Sequence, residues 1–221
     1  MSWRDDIKNR INQIEENEII IVNEFPNKDD FGKNSYRECW ITCLFVDIAN
    51  YTKICETKKN EDVGIIIRTF HEGVLDIMNH YKLKHIQIQG DGIFGVLPTE
   101  FQNCTESENI FNCAMEINGY LSFFWTKADF RISIAEKEEL MIVVGDDNDT
   151  SKTREVVFAG GAINKAKNQM KEEIKNCILI DELFELNNES ILWNEEDNES
   201  YIDGTTKKGI KYSEWYYKNW E

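Results

Sequence analysis

Hydrophobic residues recur along the chain with two periods, and the change from one to the other predicts an order of helices and strands. From 60 to 82 they return every three or four residues, which is the spacing of one buried helix face. A second helix of this kind is predicted from about 106 to 124. Shorter apolar or alternating runs surround both helices, and the first of them, CWITCLFVDI, begins at Cys39.

The strand-like runs continue on both sides of the second helix. HIQIQ and IFGVL are separated by the turn sequence GDG, and FRISIA and LMIVVG follow the helix as two strands. After a polar loop, REVVF predicts a strand, GGAINKAKNQMKEEIK a glycine turn that opens a helix, and CILI a short strand. This order suits an α+β domain with a ferredoxin-like βαββαβ core, in which an antiparallel-rich sheet has flanking helices.

The beginning of the chain stands outside this regular order. Residues 1–17 predict a short polar helix, and EIIIVNEF and a polar loop connect it to Cys39. We therefore divide the chain into an N-terminal helix and lead-in segment, 1–38, and one domain, 39–221. This domain is long enough to bury a core of its own and to carry a catalytic site.

The charge balance and the cysteines exclude several kinds of protein. A net charge of −16 disfavours nonspecific binding to nucleic acid or anionic lipid, because like charges repel. No window approaches the 18 apolar residues of a membrane span, and the charged start lacks the apolar core of a signal peptide. The six cysteines form no CxxC pair, which favours buried reduced thiols in a cytoplasmic protein over metal ligands.

Two aspartates are predicted to meet at one edge of the sheet. In a βαββαβ sheet the first two strands are parallel, and the third lies between them in the opposite direction. Asp47, at the end of the first strand, therefore lies beside Asp91, in the turn between the second and third. Two neighbouring carboxylates repel each other unless a cation neutralises them, and Mg²⁺ is held by one or two carboxylates plus substrate phosphates.

Each aspartate alone also has a simpler explanation, and both explanations stay open at this point. Asp91 precedes a glycine, and Asp-Gly is typical of a plain hairpin turn. Asp47 lies between a strand and a helix, where aspartate is a common N-cap. The segment IANYT after Asp47 predicts a turn into a helix, whose backbone N–H groups suit an anion. Carboxylates and amide donors side by side indicate a nucleoside triphosphate.

Four segments resemble, in the same order, the motifs of the class III nucleotidyl cyclases. FVDIANYT is similar to FxDIxGFT, IQIQGDGIFGV to KxxGDxxxAV, RISIA to RIGIH, and VVFAGGAINKAKNQM to YxxxGDAVNxAARLE. The resemblance covers about residues 39–221. With Tyr51 in its first motif, this small chain also resembles the Pycsar cyclases, anti-phage enzymes that make cyclic UMP or cyclic CMP to trigger an effector.

The resemblance implies a metal and phosphate site around the two aspartates. Asp47 and Asp91, with the backbone carbonyl of Ile48, are expected to hold two divalent ions, Mg²⁺ or Mn²⁺. The triphosphate is expected to lie along four residues of the first motif, Ala49, Asn50, Tyr51 and Thr52. Tyr51 is also a candidate for narrowing the pocket around a single-ring base, although an aromatic packing role is equally typical of this position.

The resemblance also implies that two subunits share each site. A head-to-tail homodimer is expected, in which Asn164 orients the ribose bound by the other subunit. Lys208, or its neighbour Lys207, is expected to contact phosphate from a C-terminal hairpin. A separate effector that senses the cyclic nucleotide is the further partner implied by the Pycsar cyclases.

Three positions depart from the purine-specific members of the family. Gln87 stands where they have a lysine, and Val157 where they have an aspartate or threonine, which disfavours adenine recognition through that pair. Asn168 stands where they have an arginine. Lys171, on the same predicted helix face as Asn164, is a candidate for the missing charge, and a solvated surface lysine is the other explanation.

These features lead to one expected function and two that stay open. We expect a pyrimidine nucleotide cyclase that converts UTP, in preference to CTP, to the cyclic nucleotide and pyrophosphate by in-line attack of the ribose 3′-hydroxyl. An adenylate or guanylate cyclase with an altered base pocket stays open, because Gln87 can hydrogen-bond to any base. A degenerate cyclase fold that only binds nucleotide stays open as well, since the arginine is missing.

Overall fold

The computed structural model describes residues 19–22, 36–98, 104–144 and 155–218. The expected helix at 1–17 and the expected loop at 146–153 lie outside these ranges. The elements follow in the order β1 (Ile19–Ile21), β2 (Tyr36–Ile48), α1 (Tyr51–Thr57), α2 (Asn60–His80), β3 (Lys84–Gln89), β4 (Gly92–Pro98), α3 (Cys104–Gly119), β5 (Phe130–Val144), β6 (Glu155–Phe158), α4 (Ala162–Gln169), β7 (Ile178–Ile180), α5 (Glu182–Asn187), β8 (Trp193–Asn194), β9 (Glu199–Ser200), β10 (Gly204–Thr205) and β11 (Lys211–Ser213).

The main sheet contains the predicted ferredoxin-like core. Its strand order is β10-β11-β7-β5-β2-β4-β3, so the four core strands lie in the order β5-β2-β4-β3. β4 is antiparallel to both β2 and β3, as the βαββαβ topology requires. The predicted fold class is thereby confirmed. β7 extends the sheet by pairing parallel to β5, and β1 and β6 pair with the ends of β2 and β5.

Both faces of β2 are covered, which explains why its sequence is continuously apolar. Leu44 and Val46 pack with α2 and α3 on one face, in a core that includes Phe70. Phe45 packs on the other face with Phe94 and α4. Successive side chains of a strand point to opposite faces. A strand between two helical layers therefore needs apolar residues at every position.

β5 is one long strand, where the sequence pattern predicts two. FRISIA and LMIVVG are joined by EKEE, whose charges are typical of a loop. β2 instead pairs with β5 along its whole length, from Tyr36 opposite Ile142 to Ile48 opposite Phe130. Glu136 is buried within this segment, and its carboxylate accepts hydrogen bonds from Trp40 Nε1 and Asn188 Nδ2. Distant donors thus satisfy a charge that the local pattern assigns to solvent.

α4 is shorter than the sequence pattern predicts. It ends at Gln169, and two tight turn hydrogen bonds follow, from Lys171 N–H to the Asn168 carbonyl and from Glu172 N–H to the Gln169 carbonyl. The prediction that places Lys171 on the same helix face as Asn164 is therefore wrong, because Lys171 lies in the turn after the helix. The Met170 carbonyl accepts a hydrogen bond from Arg131 of β5, which holds the chain in this turn.

The second long helix is confirmed but is not regular to its end. α3 continues beyond Gly119 as a π-helical turn, Tyr120–Trp125. Tyr120 OH donates to the Thr69 carbonyl and Trp125 Nε1 to the Thr69 hydroxyl. These two bonds to α2 tie the irregular turn to the neighbouring helix.

Four cysteines are free and buried, as expected from their apolar surroundings: Cys39, Cys43, Cys113 and Cys177. Burial raises the pKa of Cys39 and of Cys177 to about 12, so these thiols stay protonated. Cys55 departs from the expectation and is exposed on α1. None of the helices in the described ranges has the length and apolar character needed to cross a bilayer.

Candidate active site

The register of β2 and β4 brings the two predicted aspartates together. Asp47 is the partner of Gly92 across the strand pair, and Asp91 is the residue before Gly92 in the β3–β4 turn. Gly90 has a φ of 66° in the same turn, a left-handed conformation that favours glycine. The tight turn therefore sets Asp91 beside the end of β2, where Asp47 lies.

The charges of the two aspartates interact, and Arg131 offsets them in part. Asp47 Oδ1 lies 3.3 Å from Arg131 Nε in an ion pair whose side chains are mostly buried. The pKa of Asp47 lies above its ordinary value. Burial raises this pKa most, and the Asp91 carboxylate raises it further, whereas the Arg131 guanidinium lowers it. Two carboxylates therefore face one guanidinium at the end of β2.

This arrangement fits hard divalent cations. In the described part of the chain, no three His, Cys, Asp or Glu side chains converge as a metal site. Ions at this edge would rest on Asp47, Asp91 and the backbone carbonyl of Ile48, with the rest of the ligands from substrate and water. Such a small, all-oxygen ligand set is typical of Mg²⁺. A divalent cation would also relieve the repulsion between Asp47 and Asp91.

The expected phosphate-binding segment forms a sharp turn into α1. Asn50 has a φ of 58°, and the Ile54 N–H bonds to its carbonyl as the first bond of the helix. Ala49 N–H donates to the Asp129 carbonyl at 2.8 Å, so this amide holds the turn onto the end of β5. The amides of Asn50, Tyr51 and Thr52 precede the helical ladder. Burial, a hydrogen bond with Cys55 and the Asp91 carboxylate raise the pKa of Tyr51, which therefore lies within electrostatic reach of Asp91.

The two expected base-reading positions lie near the aromatic side chains of one sheet face. Gln87 of β3 is the partner of Phe94 in β4. Val157 is followed by Phe158, whose ring contacts His85 and Phe94 with centroid distances of 4.7 and 5.8 Å. The end of β6 is thus folded over β3 and β4. Neither Gln87 nor Val157 can supply the charges of a lysine–aspartate pair.

The exposed face of α4 carries the expected ribose-orienting asparagine. Asn164 is exposed in the first turn of the helix, and Asn168 follows one turn later. Among the contacts of the described residues, none joins Asn164 to Asp47 or Asp91. Lys171 Nζ donates to Asn168 Oδ1 at 2.8 Å. An ammonium group therefore lies at the position where the family pattern has arginine, although Lys171 itself is outside the helix.

Lys171 shares a cleft with the expected phosphate-binding lysines. The cleft has a volume of about 420 Å³, and Lys171, Lys207 and Lys208 line it together with Tyr212. Lys207 and Lys208 lie in the β10–β11 hairpin, which confirms the expected C-terminal hairpin. Lys208 Nζ pairs with the buried Glu172 carboxylate at 2.7 Å. The cleft thus combines three cations with two carboxylates, Glu172 and Glu173.

Known cyclases are similar to this chain in sequence and in fold. A uridylate cyclase from Treponema porcinum is 27% identical over 190 residues, which are 80% of this chain and 65% of that protein. The adenylyl cyclase CyaB from P. aeruginosa has a TM-score of 0.63 at 12% identity, over 84% of this chain and 98% of its own. No family model matches the sequence. The protein has the class III nucleotidyl cyclase fold.

Another protein with the cyclase fold was solved with a nucleotide. The guanylate cyclase domain of RhGC from Catenaria anguillulae, in complex with GTP, gives a TM-score of 0.56 at 17% identity, over 79% of this chain and 94% of its own. At such low identities the structures establish the fold alone. The chain spans 65% of the length of the uridylate cyclase, so the activity of the whole relative is a matter for proposal.

Sequence patterns missed three polar residues of this cyclase fold. Arg131 lies in the RISIA motif without a predicted role, although a charge at the start of an apolar strand is a signal that it faces a partner. His71 of α2 hydrogen-bonds the backbone of Gly92; burial lowers its pKa, and this bond and Asp91 oppose the shift. Glu139 has no local signal, since it lies within the charged run AEKEE.

Gly161, which begins α4, is expected to tolerate no side chain. A Cβ atom there would lie 1.9 Å from the Glu138 carbonyl oxygen, which is fixed in β5. We expect Gly161→Ala to lower the free energy of unfolding by about 3 kcal/mol, measured by urea denaturation. Gly64→Ala on α2 is the matched control, because nothing lies within 4 Å of its Cβ position. It should raise stability by about 0.5–1 kcal/mol. Equal effects of the two changes would contradict the close approach of α4 to β5.

Proposed function

We propose that this protein is a nucleotide cyclase that acts on a pyrimidine nucleoside triphosphate. One observation carries the proposal: within a cyclase fold, Asp47 and Asp91 lie side by side with their charges only partly neutralised. A fold that retained only its shape would gain nothing from keeping a repulsive pair at this edge, whereas a site for metal ions and phosphates requires it.

In this proposal the chain holds and orients the reactants. Asp47, Asp91 and the Ile48 carbonyl hold two Mg²⁺ or Mn²⁺ ions. When bound, these ions lower the pKa of the ribose 3′-hydroxyl and offset the charge of the α-phosphate and pyrophosphate. Backbone N–H groups of the turn into α1 would donate hydrogen bonds to phosphate oxygens. Positioning and charge stabilisation are the main demands of phosphoryl transfer, so no covalent role is assigned to a side chain.

The position of Asn164 supports the proposal of a homodimer with shared sites. It lies in the first turn of α4, which is held at Glu139 of β5. Glu139 pairs with Cys39, eight positions before Asp47 on β2. A strand rises about 3.3 Å per residue, so the first turn of α4 lies at some distance along β2 from Asp47, although Arg131 joins the Met170 carbonyl, just after the helix, to Asp47. We propose that Asn164 serves the site of the other subunit.

The cations of the cleft complete that shared site. We propose that Lys171 replaces the missing arginine, since its ammonium group contacts Asn168. Lys208 is the proposed phosphate contact, and its ion pair with Glu172 holds it at the cleft until substrate binds. Lysine is a point charge and lacks the bidentate geometry of arginine. We therefore expect slower turnover than an arginine would give.

The proposal also names the base of the substrate and the biological role of the product. Gln87 and Val157 lack the charged groups of a purine-reading pair, and the match to a uridylate cyclase favours UTP over CTP. The product, cyclic UMP, would act in the cytoplasm as a second messenger for anti-phage defence through a separate effector. Neither nucleic acid nor membrane is a proposed partner, because the net charge is −16.

The proposal is tested by incubating the purified protein with Mn²⁺ or Mg²⁺ and each of the four ribonucleoside triphosphates separately. Products are separated by chromatography and identified by mass. Cyclic UMP is the expected main product, with less cyclic CMP. Cyclic AMP or cyclic GMP as the main product would contradict the pyrimidine assignment. No product from any triphosphate, with an intact dimer, would favour a binding module that has lost catalysis.

A further inference from the structure

Glu139 is a fully buried carboxylate that has no part in the proposed reaction. It lies on β5 with 0% of its surface exposed. An ionised side chain is costly to bury unless hydrogen-bond donors compensate for the lost water. Its donors come from the first turn of α4, the helix that carries Asn164 on its opposite, exposed face.

The carboxylate binds the free amides of the helix N-terminus. Gly161 N–H donates to Oε1 at 3.0 Å, and Ile163 N–H donates to Oε2 at 3.2 Å. The first N–H groups of a helix have no partner inside it, and the helix dipole favours a negative charge beside them. Glu139 therefore caps α4 from a neighbouring strand, with both carboxylate oxygens engaged.

The N-cap residue itself cannot do this. Gly161 has no side chain, and α4 has no side-chain cap of its own. A Cβ atom at Gly161 would lie 1.9 Å from the Glu138 carbonyl oxygen. The close approach of the turn to β5 excludes a local aspartate or serine, and the same approach brings the Glu139 carboxylate within reach of the amides.

We propose that Glu139 is a positioning residue, which fixes the first turn of α4 and thereby the Asn164 side chain offered to the other subunit's site. Asn164 follows Ile163 directly, so a shift of the Ile163 amide moves Asn164 with it. The inference rests on the proposed cyclase function and adds to it a residue that touches neither substrate nor metal.

The Glu139 carboxylate fixes the first turn of α4, but its burial lowers the stability of the folded protein when it is ionised. Burial raises its pKa, and the amides of Ile163, Ala162 and Gly160 lower it less, so its pKa lies above the ordinary value. The other ionisable groups that act on it are Lys137, Cys39 and Cys43. Because the folded-state pKa is raised, stability from this group is present at low pH and is lost as pH rises through that pKa.

The variant Glu139→Gln distinguishes an effect on the position of Asn164 from an effect on the stability of the fold. Glutamine keeps the shape and one acceptor oxygen but points an NH₂ donor at the second amide. At neutral pH we expect only a small change in melting temperature, because the removal of a buried charge offsets the cost of the amide that loses its acceptor. We expect kcat to fall about tenfold, with KM for the triphosphate and Mn²⁺ affinity changed less than about threefold. Glu138→Gln, at the exposed neighbouring position, is the control and should change none of these.

Hydrogen exchange gives a reading that does not depend on activity. Amides of 161–165 should exchange roughly fivefold to tenfold faster in Glu139→Gln than in Glu138→Gln, as expected for loss of a helix cap, while β2 and β5 stay protected. Unchanged exchange in α4 would overturn the cap. Faster exchange with an unchanged kcat would overturn the positioning role. A wild type without product from any triphosphate would instead overturn the proposed function, and exchange would still decide whether Glu139 holds α4.

Discussion

Asp47→Asn and Asp91→Asn should each lower turnover by at least about a thousandfold, because each removes a carboxylate from the proposed metal site. Asparagine keeps the size of aspartate and one acceptor oxygen but not its charge. Mn²⁺ affinity, measured by calorimetry without nucleotide, should fall in both variants. Asp47→Asn also leaves Arg131 without its ion-pair partner, so its thermal stability is expected to change more than that of Asp91→Asn.

Asp62→Asn is the control for these two changes. Asp62 is an exposed carboxylate in the first turn of α2, away from the β3–β4 turn. It should leave turnover and Mn²⁺ binding unchanged. Wild-type activity in either Asp47→Asn or Asp91→Asn would show that the paired carboxylates serve only the hairpin and the ion pair.

The pair of aspartates could be predicted because topology alone brings them together. A strand that ends at Asp47 and a turn that contains Asp91 are both local features, readable from apolar runs and glycines. The order β5-β2-β4-β3 then follows from the handedness of the crossover and the shortness of the hairpin. No side-chain contact between distant residues is needed for this step.

The features that sequence patterns missed depend on distant partners. β5 continues through AEKEE because two of its glutamates accept hydrogen bonds from distant residues. Glu136 accepts from Trp40, 96 residues earlier, and Glu139 accepts from the backbone amides of α4. α4 ends at Gln169 while the Met170 carbonyl is held by Arg131, 39 residues away. A window of neighbouring residues contains none of these partners. The local pattern therefore assigns the charged residues of β5 to a loop, and it predicts that α4 continues beyond Gln169.

Mixing inactive variants should restore activity if two chains share each site. Co-expression of Asp47→Asn with Asn164→Ala, under two affinity tags, allows the heterodimer to be purified. One of its two sites combines the intact aspartates of one chain with the intact Asn164 of the other. Its turnover per dimer should be about half that of the wild type. Each homodimer alone should be nearly inactive.

The matched control is the heterodimer of Asp47→Asn and Asp91→Asn. Both aspartates lie at the same edge of one chain, so every site in this dimer lacks one of them. It should stay inactive although it contains the same number of altered residues. Recovery in both heterodimers, or in neither, would contradict the division of each site between the aspartates of one subunit and α4 of the other. Because recovery requires a complete site assembled from two defective chains, changes in folding or expression alone could not produce this pattern.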